Sequence, residues 1–400
     1  MTCVQPFRND ACHGMRVLLS AKTTTSVLVD SFGHLRPPQQ QVKIRTASYQ
    51  TWPLRNSPAR IKPYTTGPSK RGIARPPLHT CPNGRRCLQT GLPNRASYSS
   101  ETPVAKQPNI HDVFESKTGT WQYVVADPSS SAAVIIDPVL DYDAATQKLT
   151  TQAADSLLAL VKDKGYKVEM ILETHAHADH LSAASYLQKH LTQQQGHKPP
   201  IGIGKRIGQV QKMFGQRYAV PAEEYQAVFD KLFDDDETFN IGGLTATAIH
   251  LPGHTPDHMG YKIGDNVFCG DTIFHADIGS ARCDFPGGSA NDLYGSLRKL
   301  LGFPEYVKIW TGHDYPPEER GRPVSSMSVG DHRAQNKHIK DGVTEDEFVS
   351  RRKERDSTLA APKLLHPSLQ TNIRAGRLPK PNESGQHILH LPLNVQSEKW

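Results

Sequence analysis

Acidic side chains are nearly missing from the first quarter of this 400-residue chain. Residues 1–100 hold two, Asp10 and Asp30, against 15 Lys and Arg, a balance of +13. Arg, Ser, Thr and Pro fill the stretch, and apolar periodicity is weak. Such a composition excludes a buried core and predicts disorder. It is also the composition of a mitochondrial targeting segment. Residues 1–103 therefore read as a basic leader ending in a linker, and the mitochondrial matrix is the expected compartment. A plain disordered tail is the alternative.

Other scarcities narrow the remainder. Beyond residue 100 the basic excess is gone: 32 Lys and Arg face 38 Asp and Glu, a balance of −6, which argues against nucleic acid as a partner of the folded part. No apolar run approaches the ~18 residues needed to span a bilayer, so no membrane span and a soluble chain are expected. Of six cysteines, Cys3, Cys12, Cys81 and Cys87 fall in the leader. Cys269 and Cys283 are too few for a disulfide framework, as suits a reducing interior compartment.

Order is expected from Val104–Ile110, opening one folded region over residues 104–400. Trp121–Ala126 and Ala133–Ile136 read as strands of a hairpin joined by Asp127-Pro-Ser-Ser-Ser131. Ala153–Lys164 carries Leu157, Leu158, Leu160 and Val161 at helical spacing and ends near Gly165. Val168–Leu172 reads as a buried strand, Ser182–Leu191 as a helix and 192–200 as a surface loop. Leu244–Ile249, Met259–Ile263 and Asn266–Cys269 read as strands, the last two joined by a tight turn at Gly264-Asp265. Asn291–Leu301 reads as a helix and Val307–Trp310 as a strand. Thr344-Glu-Asp-Glu347 is a capping box that opens a helix to about Ser357. The last forty residues, polar and Pro-containing, are expected to wrap the surface. Two groups of strands with helices between them predict two packed sheets covered by helices.

What the chain does have is an ordered series of metal-ligand side chains. Residues 175–180 read His-Ala-His-Ala-Asp-His, placing His175, His177, Asp179 and His180 just past the end of a strand. His254, Asp271 and His313 follow, each in the loop after a predicted strand. Imidazole and carboxylate are the usual ligands of a catalytic divalent metal, and a packed core has no reason to produce this spacing. A binding module without chemistry would tolerate loss of these residues, and none is lost.

On these motifs the chain resembles the metallo-β-lactamase superfamily over roughly residues 110–380. The resemblance implies an α/β (α+β) fold, an αββα sandwich of two mixed sheets flanked by helices, with metal at one edge. Within the superfamily, Gly279-Ser-Ala-Arg-Cys-Asp-Phe285, Thr311-Gly-His-Asp-Tyr315 and Leu378-Pro-Lys-Pro381 are similar to the persulfide dioxygenases. The segment before Arg282 reads Ile-Gly-Ser-Ala, where the animal mitochondrial enzymes carry Gly-Cys-Gly. That resemblance implies one Fe(II) per chain held by His175, His254 and Asp271, with glutathione persulfide and O2 as substrates. His177, Asp179, His180 and His313 would then orient ligands and bound water. It is compatible with a homodimer and with a functional link to a rhodanese-type sulfurtransferase.

The rival reading is a glyoxalase II-like hydrolase with two Zn per chain. There His175, His177 and His254 hold one metal, Asp179, His180 and His313 the other, and Asp271 bridges them. Two further residues have double readings. Arg282 either binds a glutathione carboxylate through its planar fork or pairs with Asp284. Tyr315 either hydrogen-bonds the substrate or is a buried aromatic. Cys283 is expected to be a small buried thiol, Cys269 a core residue, and Gly287-Gly288 a turn.

Overall fold

The aromatic and β-branched run at 120–126 becomes a strand buried on both faces, and that double burial sets the architecture. The computed structural model describes residues 106–396. The predicted leader, residues 1–103, lies outside the described residues, which belong to one unit, Asn94–Trp400. In chain order the first half forms β1 (Asn109–Glu115), β2 (Thr120–Ala126), β3 (Ala132–Ile136), β4 (Val139–Asp143), β5 (Lys148–Thr150), α1 (Gln152–Lys164), β6 (Lys167–Leu172), β7 (Leu181–Ser182), α2 (Ala184–Gln195), β8 (Ile201–Gly204), α3 (Ile207–Arg217) and β9 (Lys231–Phe233). The second half forms β10 (Thr238–Ile241), β11 (Leu244–His250), β12 (Met259–Ile263), β13 (Asn266–Phe268), α4 (Ala290–Leu301), β14 (Lys308–Trp310), β15 (Ser326–Ser328), α5 (Val329–Gln335), α6 (Glu345–Asp356) and α7 (Leu365–Asn372).

Two six-stranded mixed sheets result, ordered β1-β2-β3-β6-β8-β9 and β10-β11-β12-β13-β14-β15, with β5-β4-β7 as a small third sheet. The period of two along each strand sorts the side chains. Val124, Ala126, Ala133 and Ile135 face Leu157 of α1 and Leu187 of α2. Tyr123, Val125, Val134 and Ile136 face the opposite way, onto Ala246, Ala248 and Tyr261 of the second sheet. Beyond that sheet, Ile249 and Val267 pack on Leu293 and Leu297 of α4 and Phe348 of α6. Helix, sheet, sheet and helix thus stack in order, with three apolar layers between them. This is the expected αββα sandwich.

The hairpin at 121–136, the Gly264-Asp265 turn and the capping box at Thr344 are all present. Three expectations need correction. Leu181 and Ser182 pair with β4, so α2 starts at Ala184 rather than Ser182. It then runs through Gln195, into the stretch expected as loop, until Gly196 turns left-handed at φ 72°. The last forty residues do not simply wrap the surface. Residues 368–376, the later part of α7 and the turn after it, are buried, and only over residues 380–396 is nearly every residue exposed. α3 was not expected at all.

β6, β11, β13 and β14 each run into a loop holding metal-type ligands. These loops are laced together at one edge of the sandwich. Met259 N donates to Thr174 O at 2.7 Å, and Gly312 N donates to Gly270 O at 2.9 Å.

Candidate metal centre

Asp137, just after β3, anchors the first ligand loop. Its carboxylate accepts from Thr174 N at 2.7 Å and from Thr174 Oγ1 at 2.8 Å. Thr174 Oγ1 donates there, so it accepts from His175 Nδ1, 3.0 Å away. That leaves the lone pair of His175 on Nε2, which is buried and has no hydrogen-bond partner among the described residues. His254 is set the same way. Its Nδ1 donates to Arg282 O at 2.8 Å, and its Nε2 lies 3.7 Å from Asp271 Oδ2. Asp271 Oδ1 is likewise buried without a partner. The ligand atoms of His175, His254 and Asp271 lie within 4.8 Å of one another, all three residues buried. Buried lone pairs that converge and find no donor are costly unless a cation takes them. The residues therefore fit a divalent metal.

The other four predicted residues surround this group. His313 Nδ1 donates to Gly119 O at 3.2 Å, and its Nε2 lies 3.0 Å from Asp179 Oδ2 and 3.5 Å from Asp271 Oδ2. His180 Nδ1 donates to Leu181 O at 3.2 Å, and its Nε2 is a buried orphan. Asp179, Asp271 and His313 form a second three-ligand group that shares Asp271 with the first. His177 is held differently. Its Nε2 sits between Asp137 Oδ1 at 3.1 Å and Glu173 Oε2 at 3.2 Å. In the neutral form the lone pair is thus on Nδ1, which has no partner.

Charge follows this arrangement. Burial holds His175 well below the ordinary imidazole value, and the neighbouring imidazoles add to that. His180 falls to about 4 for the same reasons. His313 goes the other way, up to about 9: burial opposes the rise, and the Asp271 and Asp179 carboxylates outweigh it. Burial raises Asp271 despite His313 and His254. An Asp271 carboxylate kept unstable as an anion, beside a His175 kept neutral, is a state that a cation at the centre would relieve, whereas His177 and His313 are held protonated by their carboxylate partners in its absence.

The centre opens into a cavity of about 760 Å³, whose wall includes Asp179, His254 and Asp271. Phe274, Ile278 and Leu364 give it apolar surface, and Lys337, Arg355 and Lys363 add cations. None of these three cations makes a salt bridge among the described residues. Tyr315 is 54% exposed, which corrects the reading of it as a buried aromatic. Its ring stacks on His313 with centroids 5.7 Å apart, and Gly119 lies so close that a Cβ there would meet Tyr315 Cε1 at 2.6 Å. Its hydroxyl, an ordinary phenol, carries its proton at neutral pH. Arg282 also lines the cavity, but its guanidinium is engaged. Nε donates to Asp284 Oδ1 at 2.5 Å, Nη2 pairs with the other carboxylate oxygen, and Nη1 donates to Ala360 O at 3.0 Å. Cys269 and Cys283 are buried, and burial pushes both thiols up to about 12, so neither is a nucleophile at neutral pH.

Four residues of the site were not anticipated. Asp137 and Glu173 clamp His177. Asn372, at the end of α7, donates to His177 O and His180 O at 2.8 Å each. His258 stacks on His175 with centroids 4.7 Å apart. Of these, only His258 left a signal, being a second histidine four residues after His254 in Pro-Gly-His-Thr-Pro-Asp-His.

Residues 117–313 match the model of the Metallo-beta-lactamase superfamily. A Dictyostelium discoideum protein called Glyoxylase B2 is 46% identical over 71% of this chain and 96% of its own length. A Burkholderia pseudomallei protein called "Probable metallo-hydrolase" is 42% identical over 72% of this chain and 99% of its own. Among solved structures, ETHE1 from Myxococcus xanthus superposes with a TM-score of 0.54 at 24% identity, over 67% of this chain and 100% of that one, which is a likeness of fold.

Proposed function

The chain belongs to the metallo-β-lactamase superfamily, and from that footing we propose that it oxidises glutathione persulfide with O2. The reaction balances as glutathione persulfide plus O2 plus water giving glutathione plus sulfurous acid, which ionises to sulfite. An Fe(II) ion held by His175, His254 and Asp271 would leave positions open for a persulfide sulfur and O2 side by side, and would pass electrons between them.

The observation that carries the reading is the segment after the Asp271 loop, Arg282-Cys-Asp-Phe285. It braces the centre rather than merely following it. Arg282 O holds the His254 ring, Asp284 holds the Arg282 guanidinium, and Phe285 packs on Phe214 of α3 with centroids 5.3 Å apart. This run resembles the persulfide dioxygenases and favours that reading over the hydrolase. The cavity suits the substrate as well. Glutathione carries two carboxylates, and Lys337, Arg355 and Lys363, without salt bridges among the described residues, place cations in the cavity lining. The protonated Tyr315 hydroxyl is a donor within the same cavity. His313 and Asp179 offer a polar pair beside the centre to hold the water consumed in the reaction.

A second reading has its own support. Asp179, Asp271 and His313 form a complete ligand group, and two relatives above 40% identity bear the names Glyoxylase B2 and "Probable metallo-hydrolase". In that case two zinc ions share a hydroxide that attacks a glutathione thioester. Metal analysis of anaerobically purified protein, with O2 uptake on glutathione persulfide, separates the two. One iron per chain with O2 consumption is expected. Two zinc per chain, thioester hydrolysis and no O2 uptake would sink the dioxygenase reading.

The +13 balance of residues 1–100 makes the mitochondrial matrix the proposed location. A reporter fused behind those residues should enter mitochondria, and a cytosolic reporter would refute this without touching the chemistry.

A further inference from the structure

We infer that His258 is a positioning residue for the whole ligand group, touching all three of its members without ligating. It rests on the metal-centre reading but on neither metal identity nor reaction. Its ring is fully buried. The face stacks on His175 at 4.7 Å and 26°, and the edge meets His254 at 6.1 Å and 82°. Nε2 accepts a hydrogen bond from Asp271 N at 2.9 Å. A backbone N–H only donates, so Nε2 is the unprotonated nitrogen and the ring is neutral with its proton on Nδ1. One imidazole thus fixes the plane of one ligand, borders the second and sets the backbone of the third.

Its own position is over-determined. On one side Asp257 Oδ2 accepts from Ala176 N at 3.0 Å, and on the other Met259 N donates to Thr174 O at 2.7 Å. The segment 257–259 is therefore laced to the 174–176 loop across the His175 backbone. Asp271 approaches from the third side through Gly270. A Cβ at Gly270 would meet Thr174 Oγ1 at 2.5 Å and His258 Nε2 at 2.9 Å, so the Thr174 and His258 side chains close directly on the Gly270 backbone. Nothing else in this packing needs a histidine. An apolar ring would fill the space, but only an acceptor at the Nε2 position satisfies the Asp271 N–H.

The test measures metal affinity, not activity. Gln places its carbonyl oxygen near the Nε2 position of a histidine, whereas Asn ends near Nδ1. In the full chain, dissociation constants for Fe(II) and Co(II), with the visible spectrum of the Co(II) form, are compared among wild type, His258→Leu, His258→Gln and His258→Asn. His258→Leu is expected to weaken metal binding about 10–100-fold and to alter the Co(II) spectrum, the range typical when a ligand loses its supporting partner. His258→Gln should stay near wild type and His258→Asn should behave like Leu. A folded His258→Leu with wild-type affinity and spectrum overturns the inference. If His258→Leu does not fold, equal affinity in the Gln and Asn variants overturns it. A wild type that binds neither metal would instead defeat the metal-centre reading itself.

Discussion

Asn372 offers the sharpest test of how the ligand loop is held. It lies 195 residues from His177, at the C-terminal end of α7, and is 3% exposed. Its amide makes three bonds of 2.8 Å: Nδ2 to His177 O, Nδ2 to His180 O, and Oδ1 from Ser182 N. These bonds close the turn that carries His177, Asp179 and His180. In Asn372→Ala all three backbone groups lose their partner in a buried place, at about 1–3 kcal/mol each. The summed loss is therefore about 3–9 kcal/mol, against about 5–15 kcal/mol for the whole stability of a typical domain. Urea unfolding of the metal-free chain, followed by near-ultraviolet dichroism, reads this loss as a lower midpoint. Metal titration reads a second consequence, weaker binding, because the turn that orients the ligands is loosened. Asn372→Asp should be worse than Ala. It keeps the acceptor for Ser182 N but points a carboxylate at two carbonyl oxygens. An unfolding midpoint that stays at the wild-type value in Asn372→Ala would refute the reasoning, since three buried bonds cannot be lost without cost.

Asp271→Asn should abolish iron binding, because a neutral amide is a poor ligand for a hard cation. His180→Ala should keep most of the metal at a mononuclear centre, so a fall from two metals per chain to one, measured by elemental analysis, would establish a dinuclear one. Arg282→Lys keeps the charge but loses the fork that grips Asp284. Reduced metal occupancy with unchanged KM is expected, and a raised KM at full occupancy would instead put the guanidinium on the substrate. His313 is raised to about 9 in the folded metal-free chain, above an unfolded value of about 6.5. The stability it contributes is fully present below about pH 6.5 and is lost as pH rises through about 9. A urea midpoint of the chelated protein that rises across that window would contradict this.

The candidate ligands were legible as a group because each sits in a short local motif at a strand end, where periodicity breaks and polar residues cluster. Their supports were not, because they come from distant segments. Asn372 gives no sign in sequence of the loop it closes, and Asp137 looks like an ordinary turn residue after Ile135-Ile136. α3 carried a signal that was masked. Ile207, Val210, Gln211 and Phe214 are its buried face, at helical spacing, but Gly208 and Gly215 lower its helix propensity. Gly215 is there for packing, since a Cβ would lie 2.4 Å from the Tyr225 ring. Arg282 shows a different failure. Its two readings were distinguished only when Asp284 and Ala360 O were found on its guanidinium.

The glycines beside the ligands belong to the site as much as the ligands do. In Gly270-Asp271 and Gly312-His313 a glycine precedes each ligand residue, and Gly270 turns left-handed at φ 47°. The packing gives another reason. A Cβ on Gly312 would stand 2.5 Å from Asp271 Oδ1 and 2.9 Å from the Gly270 carbonyl carbon. The two loops therefore meet backbone to backbone, joined by the bond from Gly312 N to Gly270 O. Only that approach brings His313 Nε2 to 3.5 Å from Asp271 Oδ2. Any larger residue at 312 would push the loops apart or rotate the Asp271 carboxylate away from His175 and His254. The cluster of lone pairs that calls for a metal thus depends on two positions having no side chain, each next to a ligand it cannot itself replace.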